Sequence, residues 1–407
     1  MKSLDTKLAA IKGHRGGRDF IIADAKDADM AFGVRAPGPR SYLAAGGAQP
    51  ARFSPEVWSR EEFGYRNLPE FLDIIREITR QGMIDIMLMS AYVNEQLTIK
   101  EGLFRYSRVT PAARANDTTD IWAVRHGCYT GEPARPFRSA SIDHIQCGKI
   151  ECERDGEIPG ANLGLYSITF TNHLERDRAT LLAFKEFREE AERKKFRYFL
   201  EVFDPNTPGG VAPAKLGEFI NDHILRSLAG VTEAGRPLFL KIVYHGPRAM
   251  EELAQYDPNL VVGILGGGAG TTYDAFKLIH DAQKYGARAA LFGRKINHAE
   301  HPLAFIEMLR LITDGRISPE EAVRAYHGVL QGKNIHPKLP LEKDMELTGL
   351  SMSCGGTAAA RAAVSVKQNP QAPSVWPVSP TGAPDFDNMT TEQRRAYDNQ
   401  RLTRKFG

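Results

Sequence analysis

Short apolar runs alternate with longer amphipathic stretches along most of this chain. The runs are 19–24 (DFIIAD), 83–89 (MIDIMLM), 120–124 (DIWAV), 163–171 (LGLYSITFT), 196–203 (FRYFLEVF), the centre of 237–247 (PLFLKIVYHGP), 259–265 (NLVVGIL) and 287–292 (ARAALF). Their length and their content of β-branched and aromatic residues are those of buried strands. Helical periodicity follows most of them, as in LPEFLDIIREITRQG and ERDRATLLAFKEFREEAERKK. Eight strand-and-helix units in succession predict an α/β protein, a (β/α)8 TIM barrel, which takes about 250 residues. The chain has 407. The surplus is assigned to Gly-, Pro- and Arg-rich insertions at 33–66 after the first strand and 128–161 after the third, and to a C-terminal extension.

On this reading the barrel occupies 1–332. It ends in a helix marked by a capping box at Ser318 and Glu321 and by a stop at Gly332. Residues 333–407 form the extension, with one short helix predicted over 350–368, a Pro-rich stretch over 369–387 and a charged end. A doubly wound sheet is the competing fold. Its glycine fingerprint normally follows the first strand, and the first strand here has none.

Charged residues inside apolar strands change the picture from fold to chemistry. Lys241 sits at the centre of the sixth run, where an ammonium group is costly to bury. Desolvation favours the neutral amine, which can attack a carbonyl and form a Schiff base. A structural lysine paired with a carboxylate is the plainer alternative. Glu201 interrupts the fifth run in the same way, so neighbouring parallel strands would bring a carboxylate and an amine into one pocket suited to proton transfer. Asp24, Lys26 and Asp27 place polar groups at the rim of the first strand. Gly266, Gly267 and Gly268 close the seventh strand just before a helix, and Gly293 and Arg294 close the eighth. Backbone amides at such turns, a helix start and an arginine fork suit a phosphate group, and this is where a (β/α)8 barrel carries one.

Composition limits the partners. With 42% hydrophobic and 25% charged residues and a net charge of +3, from 53 basic and 50 acidic side chains, the chain has an ordinary globular balance. Nothing in it favours nucleic acid or an anionic membrane. The amino terminus lacks the apolar core of a signal peptide and no stretch reaches the roughly 18 apolar residues of a spanning helix, so a cytoplasmic location is expected. Cys128, Cys147, Cys152 and Cys354 are too few for a disulfide framework. Cys128, Cys147 and Cys152, lying near His126 and His144, lack the paired spacing of a structural zinc motif and are read as free thiols.

With these strand ends in place, the sequence resembles the class I (Schiff-base) aldolase superfamily, and within it the branch of tagatose-1,6-bisphosphate aldolase and sulfofructose-phosphate aldolase. The resemblance spans about 19–311 and rests on Asp24, on FLE with Glu201, on LK with Lys241, on Gly266, Gly267 and Gly268, and on Gly293 with Arg294. It implies a lyase in which Lys241 forms the imine while Glu201 and Asp24 move protons or orient hydroxyls. The glycine amides and Arg294 would hold a phosphate, and Lys26, Arg125 and His245 are further candidates for substrate contacts. The implied reaction is reversible cleavage of a phosphorylated ketose without metal or organic cofactor; separately, the insertions and the tail lead to the expectation of a homo-oligomer. One departure stands out. Relatives place a basic residue on the fourth strand, where this chain offers Ser167, Thr169 and Thr171. Another reaction on the same barrel, such as isomerisation or acyl transfer, or a binding-only barrel, is the alternative.

Overall fold

Seven of the eight apolar runs supply strands to one closed parallel ring, and a segment outside the pattern supplies the eighth. In the computed structural model, which describes residues 1–13, 17–38, 65–153, 156–268, 270–349, 377, 385, 388–391, 393, 394 and 397, the barrel strands are β1 (Ile21–Lys26), β2 (Ile86–Met89), β3 (Thr110–Arg114), β4 (Leu163–Thr169), β5 (Arg197–Phe203), β6 (Leu240–Ile242), β7 (Gly263–Leu265) and β8 (Ala289–Phe292). Their order around the ring is β1-β8-β7-β6-β5-β4-β3-β2. This is a (β/α)8 barrel. Among its helices are α1 (Ser3–Lys12), α2 (Leu68–Gln81), α3 (Leu174–Arg193), α4 (Leu216–Ala229), α5 (Pro247–Tyr256), α6 (Thr272–Lys284), α7 (Pro302–Thr313) and α8 (Pro319–Gly332). The capping box at Ser318 and Glu321 is formed, as is a second one at Asn67 and Glu70 on α2.

Strand alternation sorts the core into two layers. Ile21, Ala23, Ile86, Leu88, Leu165 and Phe199 fill the barrel interior together with Leu4 and Leu8 of α1, which closes the end where the strands begin. Ile22, Met87, Met89, Tyr166, Leu200 and Ile264 face outward onto the helices. Lys2 ties α1 down by donating to the carbonyls of Phe104, Ser107 and Val109 at 2.6, 2.8 and 3.0 Å. The opposite end of the barrel, at the strand C-termini, is left for chemistry.

The third strand lies elsewhere than the sequence pattern puts it. Residues 120–124 form turns, and the strand is TPAAR at Thr110–Arg114. A proline inside a run argues against a central strand because it cannot donate to the ladder. Here β3 pairs with β2 along Thr110–Ala113 but with β4 only at Ala113 and Arg114, beyond Pro111. Pairing decides the strand rather than its own composition. The expected polar connection at 95–102 is largely helical, over Ala91–Asn94 and Glu95–Lys100. The connection after β3 begins at residue 115, earlier than expected. It holds a two-stranded antiparallel piece, Asp117–Thr118 against Pro136–Phe137, and a helix at Ile142–Cys147.

Cys147 and Cys152 are joined as a disulfide, which corrects the reading of both as free thiols. Gly148 ends the helix in the left-handed conformation (φ 75°, ψ 11°) and turns the chain back on itself, leaving the two Cα atoms 5.8 Å apart. Cys128 is free and exposed. Cys354, most of the 33–66 insertion, the helix expected at 350–368 and most of the Pro-rich stretch lie outside the described residues. So do most positions of the charged end.

The chain separates into two compact units, 1–358 and 359–407. In the first, residues beyond α8 fold back on α6: Asp344 accepts from the Thr272 N–H at 2.7 Å and from His327, and Thr348 N–H donates to Asp274 at 2.8 Å. In the second, Asp385 N–H donates to the Pro377 carbonyl at 3.0 Å. No helix among the described residues is long and apolar enough to cross a membrane.

Candidate active site

Parallel pairing of β5 with β6 sets Glu201 directly beside Lys241. Both follow the inward parity of their strands, after Phe199 on β5 and Phe239 just before β6. Lys241 Nζ forms an ion pair with Glu201 Oε1, with the glutamate wholly buried and the lysine 6% exposed. An amine and a carboxylate are thus in proton-transfer contact inside the barrel mouth. On the far side of Glu201, Oε2 accepts from Ser167 Oγ of β4 at 2.6 Å.

A second cation completes the layer. Arg114, the last residue of β3, donates from Nε to Asp27 Oδ2 at 2.6 Å and from Nη1 to Ser167 Oγ at 3.1 Å, and its Nη2 lies 3.6 Å from Glu201 Oε2. Burial opposes its charge, but Asp27 and Glu201 outweigh that and hold the guanidinium pKa above its ordinary value. Asn116 fixes Ser167 in place, taking its N–H at 2.6 Å and donating to its carbonyl at 2.8 Å. Asp27, Arg114, Ser167, Glu201 and Lys241 therefore form one continuous network across five elements.

This network borders a cavity of about 120 Å³ whose lining also includes Asp120, Gly266, Gly267, Gly293 and Arg294. The glycines are there because nothing larger fits. A Cβ on Gly266 would lie 2.2 Å from the Phe292 ring, and one on Gly293 would lie 2.7 Å from the Ala25 carbonyl oxygen. Gly267 adopts φ 57°. Gly268 lies outside the lining but lets Arg294 pack close, since a Cβ there would meet Arg294 Nε at 2.9 Å. Among the described residues no carboxylate pairs with Arg294, so its fork is available to an anion. Lys295 is spent otherwise, donating to the Gly270 and Thr271 carbonyls at the start of α6.

Other expected site residues are not brought here. Asp24 and Lys26 point out of the barrel, on the parity of Ile22, and bond to each other at 2.6 and 2.5 Å with no exposure at all. Burial raises the Asp24 pKa and lowers that of Lys26, as it must for a charge pair in an apolar layer. The inward residues of this strand are Ala23 and Ala25, and the acid that reaches the cavity is Asp27, one step past the strand end. A strand read as stopping at Asp24 gives no warning of this, because β1 runs on to Lys26 and alternation then decides the face. Arg125 is exposed in a turn and does not line the cavity. His245 bonds Asp204 Oδ1 at 2.9 Å and also lies outside the lining. His144 is held by Ser141 Oγ at 2.9 Å, and the described residues include no cluster of His, Cys, Asp and Glu suited to a metal ion.

Two charged cavity residues, Arg114 and Asp120, are not among the site candidates that the sequence offers. Both follow from the misplaced third strand. An arginine closing a short run of small residues was the available signal for the first, and the second was assigned to the strand itself.

The fold and its cavity define a (β/α)8 barrel with a buried lysine–glutamate pair and glycine-lined turns at the C-terminal mouth. Solved structures share that fold. An archaeal fructose 1,6-bisphosphate aldolase superposes with a TM-score of 0.52 at 15% identity, over 77% of this chain and 99% of its own. A Schiff-base-forming fructose-1,6-bisphosphate aldolase gives 0.51 at 16%, over 76% and 99%. A fructose-bisphosphate aldolase from Slackia heliotrinireducens gives 0.54 at 11%, over 80% and 90%. No protein-family model and no curated protein sequence matches the chain.

Proposed function

We propose that the protein is a class I aldolase, a lyase that makes and breaks a carbon–carbon bond in a phosphorylated ketose through an imine on Lys241. The observation that carries this reading is the Lys241–Glu201 pair, an amine and a carboxylate side by side in a closed barrel mouth. Glu201 takes a proton from the ammonium, the neutral amine attacks the substrate ketone, and the same carboxyl returns the proton as the carbinolamine loses water. Cleavage then leaves an enamine on Lys241, which is protonated and hydrolysed to release a ketone phosphate. The amide of Gly267 with Arg294 anchors the phosphate at the far wall. Arg114 on β3 supplies the cation that the aldolase resemblance places on the fourth strand, its Nη2 lying 3.6 Å from Glu201 Oε2. The resemblance to the tagatose-bisphosphate and sulfofructose-phosphate branch points to a six-carbon substrate.

Borohydride reduction in the presence of dihydroxyacetone phosphate or fructose 1,6-bisphosphate, followed by peptide mass spectrometry, tests this reading. An adduct on Lys241 is expected. Its absence with every ketose phosphate tried, in folded protein, would remove the aldolase assignment.

The phosphate anchor makes a separate prediction. Arg294→Ala should raise KM for a phosphorylated ketose about 30- to 100-fold, the effect of losing a charge-assisted fork worth about 2–3 kcal/mol. The trapped imine should still form at saturating substrate. Steady-state kinetics on the variant check this, and an unchanged KM would place the phosphate elsewhere.

A further inference from the structure

Of the charged groups that line the cavity, Asp27, Arg114, Glu201 and Lys241 are each committed to an opposite charge. Asp120 is not. It is 5% exposed and lines the same cavity. Its Oδ2 accepts from Thr169 Oγ1 on β4 at 2.8 Å, while its Oδ1 is buried, and the hydroxyls of Thr118 and Thr169 both favour the carboxylate. No cation pairs with it among the described residues. A buried carboxyl held by hydroxyls and by no cation can take up or give up a proton without breaking an ion pair.

The turn that carries Asp120 is fixed on both sides. Thr119 N–H donates to the Arg135 carbonyl at 3.0 Å, and Thr119 Oγ1 accepts from Arg135 N–H at 2.9 Å. Ala123 N–H donates to the Ala31 carbonyl at 2.9 Å, and the Ala123 carbonyl accepts from Arg35 at 2.6 Å. The carboxyl is therefore delivered by the loop after β3 to a set place on the wall of the cavity that Lys241 also lines, and Lys241 already has a proton partner in Glu201.

We propose that Asp120 is the group that carries the proton of the carbon–carbon bond step, accepting it from the substrate hydroxyl in cleavage and returning it to the aldehyde oxygen in condensation. The inference rests on the aldolase reading of Lys241. In cleavage the Asp120 carboxylate takes the hydroxyl proton on the carbon two removed from the imine carbon. The oxygen's electron pair becomes the aldehyde carbonyl, the carbon–carbon bond breaks, and its electron pair moves onto the imine to give the enamine. In condensation each transfer reverses and the protonated carboxyl supplies the proton. Burial raises the Asp120 pKa, against the hydrogen bonds of Thr118 and Thr169, which lower it. The division of labour is then spatial. Glu201 serves the nitrogen, and Asp120 serves the oxygen of the bond that breaks.

Asp120→Asn keeps the shape and removes the titrating proton. The variant should still form the borohydride-trapped adduct on Lys241 with dihydroxyacetone phosphate, and should still exchange that ketone's α-proton with deuterium oxide. Its rate of fructose 1,6-bisphosphate cleavage should fall by about 10²–10⁴-fold, the usual worth of a positioned proton carrier. A cleavage rate within about threefold of the parent, or a parallel loss of trapping, exchange and cleavage, would overturn the assignment. Thr169→Val provides a second reading that a structural role would not move. Losing a hydrogen bond to the carboxylate raises its pKa, so the ascending limb of kcat for cleavage should shift to higher pH by about half to one unit. An unmoved limb would also overturn it. If the parent protein itself traps no adduct, the aldolase reading has failed and the Asp120 assignment falls with it, a result told apart by the parent control alone.

Discussion

Lys241→Met is expected to abolish both the trapped adduct and carbon–carbon cleavage, lowering the rate on the order of 10⁴-fold or more. The size follows from the role: without the amine there is no covalent intermediate to share the barrier, and the remaining groups can only position substrate. Methionine keeps most of the side-chain volume, so the surrounding interior, with Phe239 and Val243 buried on either side in sequence, need not collapse. The change does leave Glu201 without its nearest counter-charge. Arg114 remains 3.6 Å away and Ser167 still donates to it, so the protein should fold, and circular dichroism beside the kinetics verifies that. Cleavage at an undiminished rate by a folded Lys241→Met protein would exclude an imine on this residue.

The largest expected loss of stability comes from Arg114→Met. Arg114 is 6% exposed and bonded to Asp27 and Ser167, with Glu201 close by. Removing one partner of a buried pair strands the other, and such changes cost about 3–5 kcal/mol. Two carboxylates are exposed to that penalty here. Denaturant titration of the variant should show the midpoint falling while the slope stays constant, the mark of a stability change without altered surface exposure on unfolding. Arg114→Met combined with Asp27→Asn should recover part of the loss, because the neutral amide needs no counter-charge. A variant as stable as the parent would mean that the network contributes nothing net to folding, as some buried ion pairs do when well packed replacements exist.

Much of the site was legible because strands announce themselves. Lys241 and Glu201 interrupt runs that are otherwise apolar, and a charge in such a place has few explanations. Neighbouring parallel strands with the same inward parity then had to bring them together, and the register of β5 on β6 does so. The glycines of β7 and β8 were legible for a similar reason, since Gly266 and Gly293 occupy places that a Cβ would fill with ring or backbone atoms. The first strand shows where such reading fails. Asp24, Lys26 and Asp27 lie within four residues, and only the strand's actual end and phase tell which acid faces the cavity. Arg114 was hidden by weak strand composition, and Asp120 by an apolar, aromatic run that forms turns instead.

What the sequence determined by itself is the barrel and its buried lysine–glutamate pair. Periodic burial repeated eight times admits few closed arrangements, and a lysine or glutamate inside a strand is constrained by alternation to one face or the other. Tertiary structure alone decided which polar groups share the cavity with that pair. Strand register put Asp27 in and Asp24 out, and sheet pairing made a proline-bearing segment the third strand with Arg114 at its mouth. The backbone clamps of the following loop set Asp120 on the wall. These are contacts between residues far apart in the chain, and their energies depend on neighbours that local pattern does not encode.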